Sequence, residues 1–312
     1  MKVIKNFNIA IIMYHYIRPI KFSRTPNLNG LEFNIFKKQI NFLTTKYNVL
    51  DYNNFLDILI TKKIPKKPSV LLTFDDGYID HYKYVFPYLL KKKISGVFYP
   101  PINTIRRLNV LDVNKIHFVL EKEQNRDNIL NKINLFLKKK TNRNLENFNL
   151  SKLDLRSRYD NKKTLLIKRL LQFYLDKELR KKLVNHLFDF FIGQSDKDFA
   201  NKLYMNEDHL KEMYNNNMMF GSHGTNHYWW NTLSKEKQEK EIKTSLNFFK
   251  KNNFNIDQLS VCYPYGAYNR NTLSLMRKYN IKFALTTSVG TINSKNLRDR
   301  YILPRMDTND YL

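Results

Sequence analysis

The apolar run Val70–Phe74, which ends in Asp75, Asp76 and Gly77, constrains the fold more than any other stretch of the sequence. A short, uninterrupted run of aliphatic, β-branched and aromatic residues is typical of a parallel strand that is covered on both faces. Adjacent side chains of a strand point to opposite faces, so we expect the two carboxylates to have different roles. Ligands bind at the carboxyl ends of parallel strands, and Gly77 allows a turn there because it lacks a Cβ.

A simpler interpretation of the same residues is a turn in which both carboxylates are solvated. Asp75 and Asp76 would then cap a helix that begins near Ile79, and they would have no chemical role. An isolated Asp-Asp-Gly sequence does not distinguish these two interpretations, so other parts of the chain have to decide between them.

Strand and helix patterns alternate along most of the chain, which predicts an α/β fold. Strands are predicted at 9–15, 49–50, 70–74, 96–99, 218–223, 258–263 and 283–286, with a closing segment at 301–305 and helices at 31–47, 52–60, 234–250 and 271–279. In a further helix after Gly77, the spacing predicts that Leu89 and Leu90 both face inward. Between residues 104 and 216, long amphipathic helical patterns dominate. We therefore predict one domain over residues 1–312, with a helical insertion over 104–216.

The formal net charge of +26 comes largely from lysines that are scattered over the whole chain. A solvated surface explains such scattering, and the resulting field would still favour anionic partners. We expect a phosphate-linked sugar as a partner or, as a peripheral contact, the surface of an anionic membrane. Nucleic acid is not favoured, because no zinc-finger, RNP-like or helix-turn-helix pattern accompanies the charge.

The N-terminal sequence does not resemble a secretion signal. Its apolar run, Ile9–Tyr14, is too short for the core of a signal peptide, and no small-residue cleavage site follows it. Cys262 is the single cysteine, so no internal disulfide can form, which agrees with a reducing compartment. We therefore expect a cytoplasmic protein.

Histidines also follow apolar runs at two other places in the chain. His15 ends the first predicted strand, and it would lie on the same rim as Asp75 if both strands belong to one parallel sheet. A histidine that simply packs and hydrogen-bonds at a strand end explains this residue equally well.

The second place is the pair His223 and His227, whose spacing restricts its use. On a continuous strand the two rings would lie about 13 Å apart, which is too far for them to share one metal ion. On a turn, or in the first turn of a helix, both rings would face the same side, and Gly221, Gly224 and Asn226 favour such a turn. Two histidines and one carboxylate form a common catalytic metal set that leaves a position open for water or substrate.

Three motifs, taken in order along the chain, resemble those of the polysaccharide deacetylase family, also called the NodB-homology domain or carbohydrate esterase family four. They are Thr73–Gly77, Ser222–His227 and Tyr263–Gly266. The resemblance covers roughly residues 9–103 and 217–306. It implies a distorted (β/α) barrel of about seven strands and metal-dependent removal of an acetyl group from an N-acetylated sugar, with a metal-activated water as the nucleophile.

The resemblance also implies a role for each residue of the motifs. Asp76, His223 and His227 would bind a divalent metal, for which zinc is the first expectation, although other divalent ions remain open. Asp75 would be the general base that acts on the water. The backbone N–H of Tyr265 would complete an oxyanion site.

Two positions depart from the usual family pattern. Many members carry an arginine two residues before the proline of the third motif, where this chain has Cys262, and a late histidine as general acid, which this chain lacks. The sequence Met13–His15 resembles instead the poly-N-acetylglucosamine deacetylase branch, in which a histidine follows an apolar first strand. We hypothesise that His15 protonates the leaving amine and that Arg305 supplies the missing guanidinium near Asp75.

These features predict a metal-dependent hydrolase that removes an N-acetyl group from a sugar of a surface polysaccharide or its precursor, such as a nucleotide- or lipid-linked sugar. Two alternatives stay open. One is a catalytically inactive barrel that binds glycan or membrane, and the other is a metal-dependent hydrolase of a different amide or ester.

Overall fold

A computed structural model describes residues 7–150, 153, 155, 160–293, 297 and 299–308 of the chain. These residues form two compact units. The first consists of the described parts of residues 1–19, 30–109 and 200–312, and the second of residues 20–29 and the described parts of 110–199. The single domain over 1–312 with an insertion over 104–216 stays a prediction about domain organisation.

The described strands and helices follow the predicted alternation. The strands are β1 (Ile9–Tyr14), β2 (Ile17–Arg18), β3 (Leu31–Glu32), β4 (Asn48–Leu50), β5 (Ser69–Asp75), β6 (Val97–Tyr99), β7 (Met219–Phe220), β8 (Val261–Cys262), β9 (Ala284–Val289) and β10 (Leu303–Asp307). The helices are α1 (Phe33–Lys46), α2 (Tyr52–Thr61), α3 (Phe86–Lys91), α4 (Ile102–Ile105), α5 (Asp112–Lys122), α6 (Arg126–Thr141), α7 (Lys162–Arg169), α8 (Lys177–Ile192), α9 (Asp196–Leu203), α10 (Glu207–Asn215), α11 (Lys235–Lys251) and α12 (Arg270–Lys278). None of the helices that the structure describes is both long and apolar enough to cross a membrane.

Seven of the described strands run parallel in the order β7-β6-β5-β1-β10-β9-β8, and β4 pairs with β5 as well. The two ends of this order meet, because Ser222, just after β7, forms a parallel bridge with Val261 of β8. Ser222 N–H donates to Ser260 O (2.9 Å), and Cys262 N–H donates to Ser222 O (2.8 Å). The curled sheet confirms the predicted α/β fold, a distorted (β/α) barrel.

Both faces of the sheet are apolar, which explains the uninterrupted run in β5. All seven residues of β5 are buried. One face contributes to an apolar cluster that contains Ile11, Leu71, Val97 and Cys262, and the other to a larger cluster that contains Ile12, Leu72, Phe74 and Phe98. The β1–β5 register pairs Tyr14 with Phe74, so the residues that follow, His15 and Asp75, stand side by side at the carboxyl rim.

The segment after Gly77 differs from its prediction in one respect. A π-helical turn, His81–Val85, precedes α3. Such a turn contains an extra residue, so it rotates the following side chains relative to a regular helix. Leu89 is therefore fully buried, whereas Leu90 is 46% exposed and the prediction that it faces inward is wrong.

The second unit is a helical bundle with its own apolar core. Helices α5, α6, α7 and α8 contribute to one cluster, which includes Ile116, Val119, Ile129, Ile133, Ile167, Leu183 and Leu187. Lys115, only 3% exposed, donates to Asn185 Oδ1 and to Asp196 Oδ2, at 2.7 Å in each case. These contacts satisfy the buried ammonium group within the unit.

Candidate active site

Asp75, the last residue of β5, is paired with Arg305 of β10. Both side chains are 1% exposed. Arg305 Nη2 lies 2.7 Å from Asp75 Oδ2, and Nη1 donates to Oδ1 at 3.0 Å. Arg305 Nε donates to the carbonyl oxygen of Thr286 (2.9 Å), which holds the guanidinium in place. The interpretation of Asp75 as a solvated helix cap is therefore wrong.

The surroundings of Asp75 keep its carboxylate ionised. Burial by itself would raise its pKa, but Arg305, and then His223 and His15, hold the pKa of this carboxyl well below its usual range. The Cys262 thiol also points at the carboxylate, with Sγ 3.6 Å from Oδ2, and burial raises the pKa of that thiol well above its usual value. Cys262 thus remains a neutral donor beside the Asp75–Arg305 pair.

Asp76 faces a different set of groups, because its φ of 72° is left-handed. Its Oδ1 lies 3.6 Å from His223 Nε2 and 3.4 Å from His227 Nε2. Its Oδ2 accepts a hydrogen bond from the Tyr78 hydroxyl (2.6 Å). Asp76 is only 5% exposed, so for this residue too the interpretation as a solvated helix cap is wrong.

The residues around Asp76 fit a divalent metal. Ligand atoms of Asp76, His223 and His227 all lie within 4.8 Å of one another. Within the described part of the chain, the buried Asp76 Oδ1 has no hydrogen-bond partner. His223 Nδ1–H donates to Cys262 O (2.7 Å), so its Nε2 has a lone pair directed at this oxygen. A carboxylate oxygen and two imidazole nitrogens at these distances are a ligand set that suits a divalent cation.

The protonation of the two histidines agrees with this role. Burial lowers the pKa of His223, and it lowers the pKa of His227 to about 3. Both rings are therefore neutral near pH 7, as metal ligands have to be. Their ring centroids lie 4.7 Å apart, because the chain turns between them, with left-handed φ angles of 73° at Gly224 and 57° at His227.

His15 lies at the edge of the site and in contact with solvent. Its Nε2 is 3.8 Å from Asp75 Oδ2, and its side chain is 41% exposed. The backbone carbonyl of His15 accepts a hydrogen bond from Nε2 of the buried His81 (2.8 Å). Burial lowers the pKa of His81 to about 4, so this ring is neutral and serves as a donor that holds His15.

Tyr265 forms one wall of the site together with Trp229. The Tyr265 ring packs edge-on against His227, with 4.6 Å between centroids. It stacks on Trp229 at 4.2 Å, with an angle of only 6° between the planes. The backbone of Tyr265 is left-handed, with a φ of 58°.

Sequence reasoning missed Tyr78, His81 and Trp229. Tyr78 directly follows Gly77, and Trp229 comes two residues after His227. Their positions close to the motifs in the sequence could therefore have identified these two residues. His81 had no such signal, because its role depends on the pairing of β1 with β5.

Comparisons with known proteins agree with this fold. Residues 177–284 match the family model described as polysaccharide deacetylase. This segment contains His223, His227 and Tyr265. YxkH of Bacillus subtilis (strain 168), a curated protein named after the polysaccharide deacetylases, is 31% identical over 101 residues, which are 32% of this chain and 35% of that protein. The match therefore spans about a third of the length of this curated relative.

Two solved structures cover nearly the whole chain. The Streptococcus pyogenes deacetylase PplD in complex with acetate has a TM-score of 0.60 and 19% identity, over 98% of this chain and 93% of that chain. IcaB from Ammonifex degensii has a TM-score of 0.56 and 14% identity, over 97% of this chain and 93% of that chain. At these identities the likeness establishes a shared fold, and together with the family match it confirms the predicted resemblance to polysaccharide deacetylases.

Proposed function

We propose, on the premise that the chain resembles the polysaccharide deacetylases, that it is a metal-dependent hydrolase that removes an N-acetyl group from a sugar of a surface polysaccharide or its precursor. The observation that carries the proposal is the contrast between two adjacent carboxylates. Asp75 is ionised and paired with Arg305, while Asp76 Oδ1 faces the two histidines. An amide hydrolase of this kind needs both a proton acceptor and a metal centre.

Asp76, His223 and His227 would hold the metal ion, which we expect to be zinc. When bound, the ion would polarise the amide carbonyl and lower the pKa of water towards neutrality. The backbone N–H of Tyr265 would donate to the carbonyl oxygen as negative charge develops there.

Proton transfer would be divided between Asp75 and His15. Asp75 takes the proton of the attacking water, and Arg305 fixes the orientation of its carboxylate. Because Arg305 also lowers the proton affinity of Asp75, the proton would pass on to His15, whose Nε2 lies 3.8 Å from Asp75 Oδ2, and would replace the proton that His15 gives up. His15 donates a proton to the leaving nitrogen, and its exposure allows exchange with solvent. Acetate and the free amine of the sugar are the products.

The wall formed by Trp229 and Tyr265 supports a sugar as the substrate. Flat aromatic faces pack against the apolar C–H face of a pyranose ring, and the Trp229–Tyr265 stack lies directly beside His227. The acetate held by the solved S. pyogenes deacetylase is the product that such a reaction would release. The positive charge of the chain, +26, would suit a phosphate-linked precursor.

The test measures acetate release from N-acetylhexosamine oligomers, nucleotide sugars and lipid-linked sugars, with and without a chelator. We expect release from at least one class, and we expect the chelator to stop it. Asp75→Asn is the matched control, because it removes the base but not the three metal-binding residues. If the wild type binds metal and releases no acetate from any class, the proposal is wrong, and the inactive glycan-binding barrel and the hydrolase of a different amide or ester are the two alternatives that stay open.

A further inference from the structure

The loop His223–His227 is wrapped around the carboxylate of Glu241, a residue of α11. Glu241 is 5% exposed. Its Oε2 accepts hydrogen bonds from the backbone N–H groups of Thr225 (2.8 Å) and Asn226 (2.9 Å), and its Oε1 accepts from Asn226 Nδ2 (2.5 Å). Its backbone carbonyl accepts from the Thr225 hydroxyl (3.1 Å). One residue thus satisfies four donors of a five-residue loop.

The carbonyl groups of the same loop are held by a second element. The N–H of Ile102, at the start of α4, donates to Gly224 O (3.1 Å), and the N–H of Asn103 donates to Thr225 O (3.0 Å). Asn103 Nδ2 donates to Asn226 Oδ1 (2.7 Å), so the Asn226 side chain links Asn103 to α11. Thus α11 binds the hydrogen-bond donors of the loop, and α4 binds its backbone carbonyl groups.

The packing between the loop and Glu241 leaves no free space. A Cβ on Gly224 would lie 3.1 Å from Glu241 Oε2 and 3.2 Å from Trp230 Nε1. The left-handed Gly224 and His227 reverse the chain around this carboxylate. On an extended strand the two histidine rings would be about 13 Å apart, whereas their centroids lie 4.7 Å apart here.

We infer that Glu241 is a positioning residue of the metal centre. Its carboxylate holds the loop in the conformation in which Nε2 of His223 and Nε2 of His227 both approach Asp76 Oδ1. It has no contact with the reacting atoms. Removal of a residue that orients metal ligands typically weakens metal binding about 10- to 100-fold, so Glu241 should affect metal affinity separately from stability. The inference rests on the metal centre of the proposed function and is independent of which amide is cleaved.

The first experiment compares Glu241→Ala with Gln238→Ala. Gln238 lies on the same helix, is fully buried, and accepts a hydrogen bond from the Thr272 hydroxyl (2.6 Å). The full-length chain is titrated with Zn²⁺ in competition with a chromophoric chelator, and Tm is measured on the metal-free protein. Both variants should lose stability, but only Glu241→Ala should weaken Zn²⁺ binding, by about 10- to 100-fold. An equal change in Zn²⁺ affinity in both variants would overturn the inference.

The second experiment reverses one hydrogen bond. In Glu241→Gln, an NH₂ group would face Asn226 Nδ2, donor against donor. Adding Asn226→Asp places an acceptor there, restores the net charge of the pair, and still accepts from Asn103 Nδ2. We expect Glu241→Gln to bind Zn²⁺ more weakly than the wild type, and the double variant to return to within about twofold of it. A double variant no better than Glu241→Gln would show that hydrogen-bond geometry is not what Glu241 provides.

The two proposals can fail separately. A wild type that binds Zn²⁺ but releases no acetate would defeat the proposed function and leave the role of Glu241 standing. A wild type that does not bind Zn²⁺ would overturn the role of Glu241. If Glu241→Ala does not fold, the comparison of Glu241→Gln with its Asn226→Asp double variant decides the question.

Discussion

Asp75 and Asp76 are neighbours in the chain, yet the two sides of the site around them are built in opposite ways. On the side that we propose to supply the base, called the base side and consisting of Asp75, Arg305 and His15, both carboxylate oxygens bind the guanidinium. On the side that we propose to hold the metal, called the metal side and consisting of Asp76, His223 and His227, one carboxylate oxygen faces two imidazole nitrogens. The guanidinium keeps Asp75 ionised, whereas the buried Oδ1 of Asp76 has no hydrogen-bond partner among the described residues.

The backbone explains how adjacent residues reach such different surroundings. Asp75 belongs to β5 and extends across the sheet towards β10. Asp76 has a left-handed φ of 72°, which turns its side chain towards the loop after β7. We expect that a substitution can disrupt one side of the site and leave the other intact. Four variants test this expectation, in order of decreasing effect.

The largest effect is expected from His223→Ala, which breaks the metal side alone. The purified variant should contain no stoichiometric metal, and its acetate release should fall to the uncatalysed background, because one of three protein ligands is gone. Metal content and acetate release are measured together, with the exposed His186→Ala as the control. Full metal occupancy in His223→Ala would contradict the assignment of this ligand.

Arg305→Gln breaks the base side by leaving Asp75 buried without its cation. Breaking a buried ion pair in this way typically costs about 3–5 kcal/mol of stability, which urea unfolding at pH 7 would measure. Adding Asp75→Asn should recover most of this loss, because the unpaired charge is then absent. A single variant within about 1 kcal/mol of the wild type would mean that solvent reaches this carboxylate.

His15→Gln changes the base side without altering the pair formed by Asp75 and Arg305. Loss of a general acid typically lowers the rate about 10²-fold or more, and metal content should stay unchanged because His15 is not a ligand. The measurement is the rate of acetate release against pH, with Asp75→Asn as the reference for complete loss. Full turnover in His15→Gln, beside an inactive Asp75→Asn, would show that another group protonates the amine.

The smallest effect is expected from His81→Gln, which removes the histidine that hydrogen-bonds to the backbone of His15. It concerns the pH dependence of stability. The pKa of His81 is lowered to about 4 in the folded chain, against about 6.5 in the unfolded chain. Its contribution to stability is therefore complete above pH 6.5 and is lost as the pH falls towards 4. Between pH 7.5 and 5, the metal-free wild type should lose about 2 kcal/mol relative to His81→Gln. Parallel pH curves for the two proteins would argue against a buried neutral His81.

Much of the site could be predicted because polar residues end apolar strands. Once β1 and β5 are both parallel strands, His15 and Asp75 have to meet at one rim, and the structure pairs Tyr14 with Phe74 directly before them. The bend between His223 and His227 was predictable too, because an extended strand would hold the two rings about 13 Å apart, too far for one ion. The position of Arg305 was suggested by the family resemblance and not by any spacing in the chain.

Other features depend on long-range packing that no local pattern contains. The π-helical turn His81–Val85 shifts the buried face of the next helix, and its sequence resembles an ordinary amphipathic helix. Glu241 lies among charged residues of α11 and looks like a solvated position until the loop after β7 is placed on it. In both cases a distant element decides what a residue does.

The pairing of Asp75 with Arg305 has a consequence for how the protein is made. These residues are separated by 230 positions, so the ribosome synthesises β5 long before the arginine exists. Domains fold from the N-terminal side as the chain emerges, and contacts of this sequence separation form slowly. Until β10 has been inserted beside β1, the buried carboxylate of Asp75 in the nascent barrel has no cation with which to pair. The completion of the base side should therefore coincide with the last step of folding, so that a chain interrupted before β10 is both unstable and inactive.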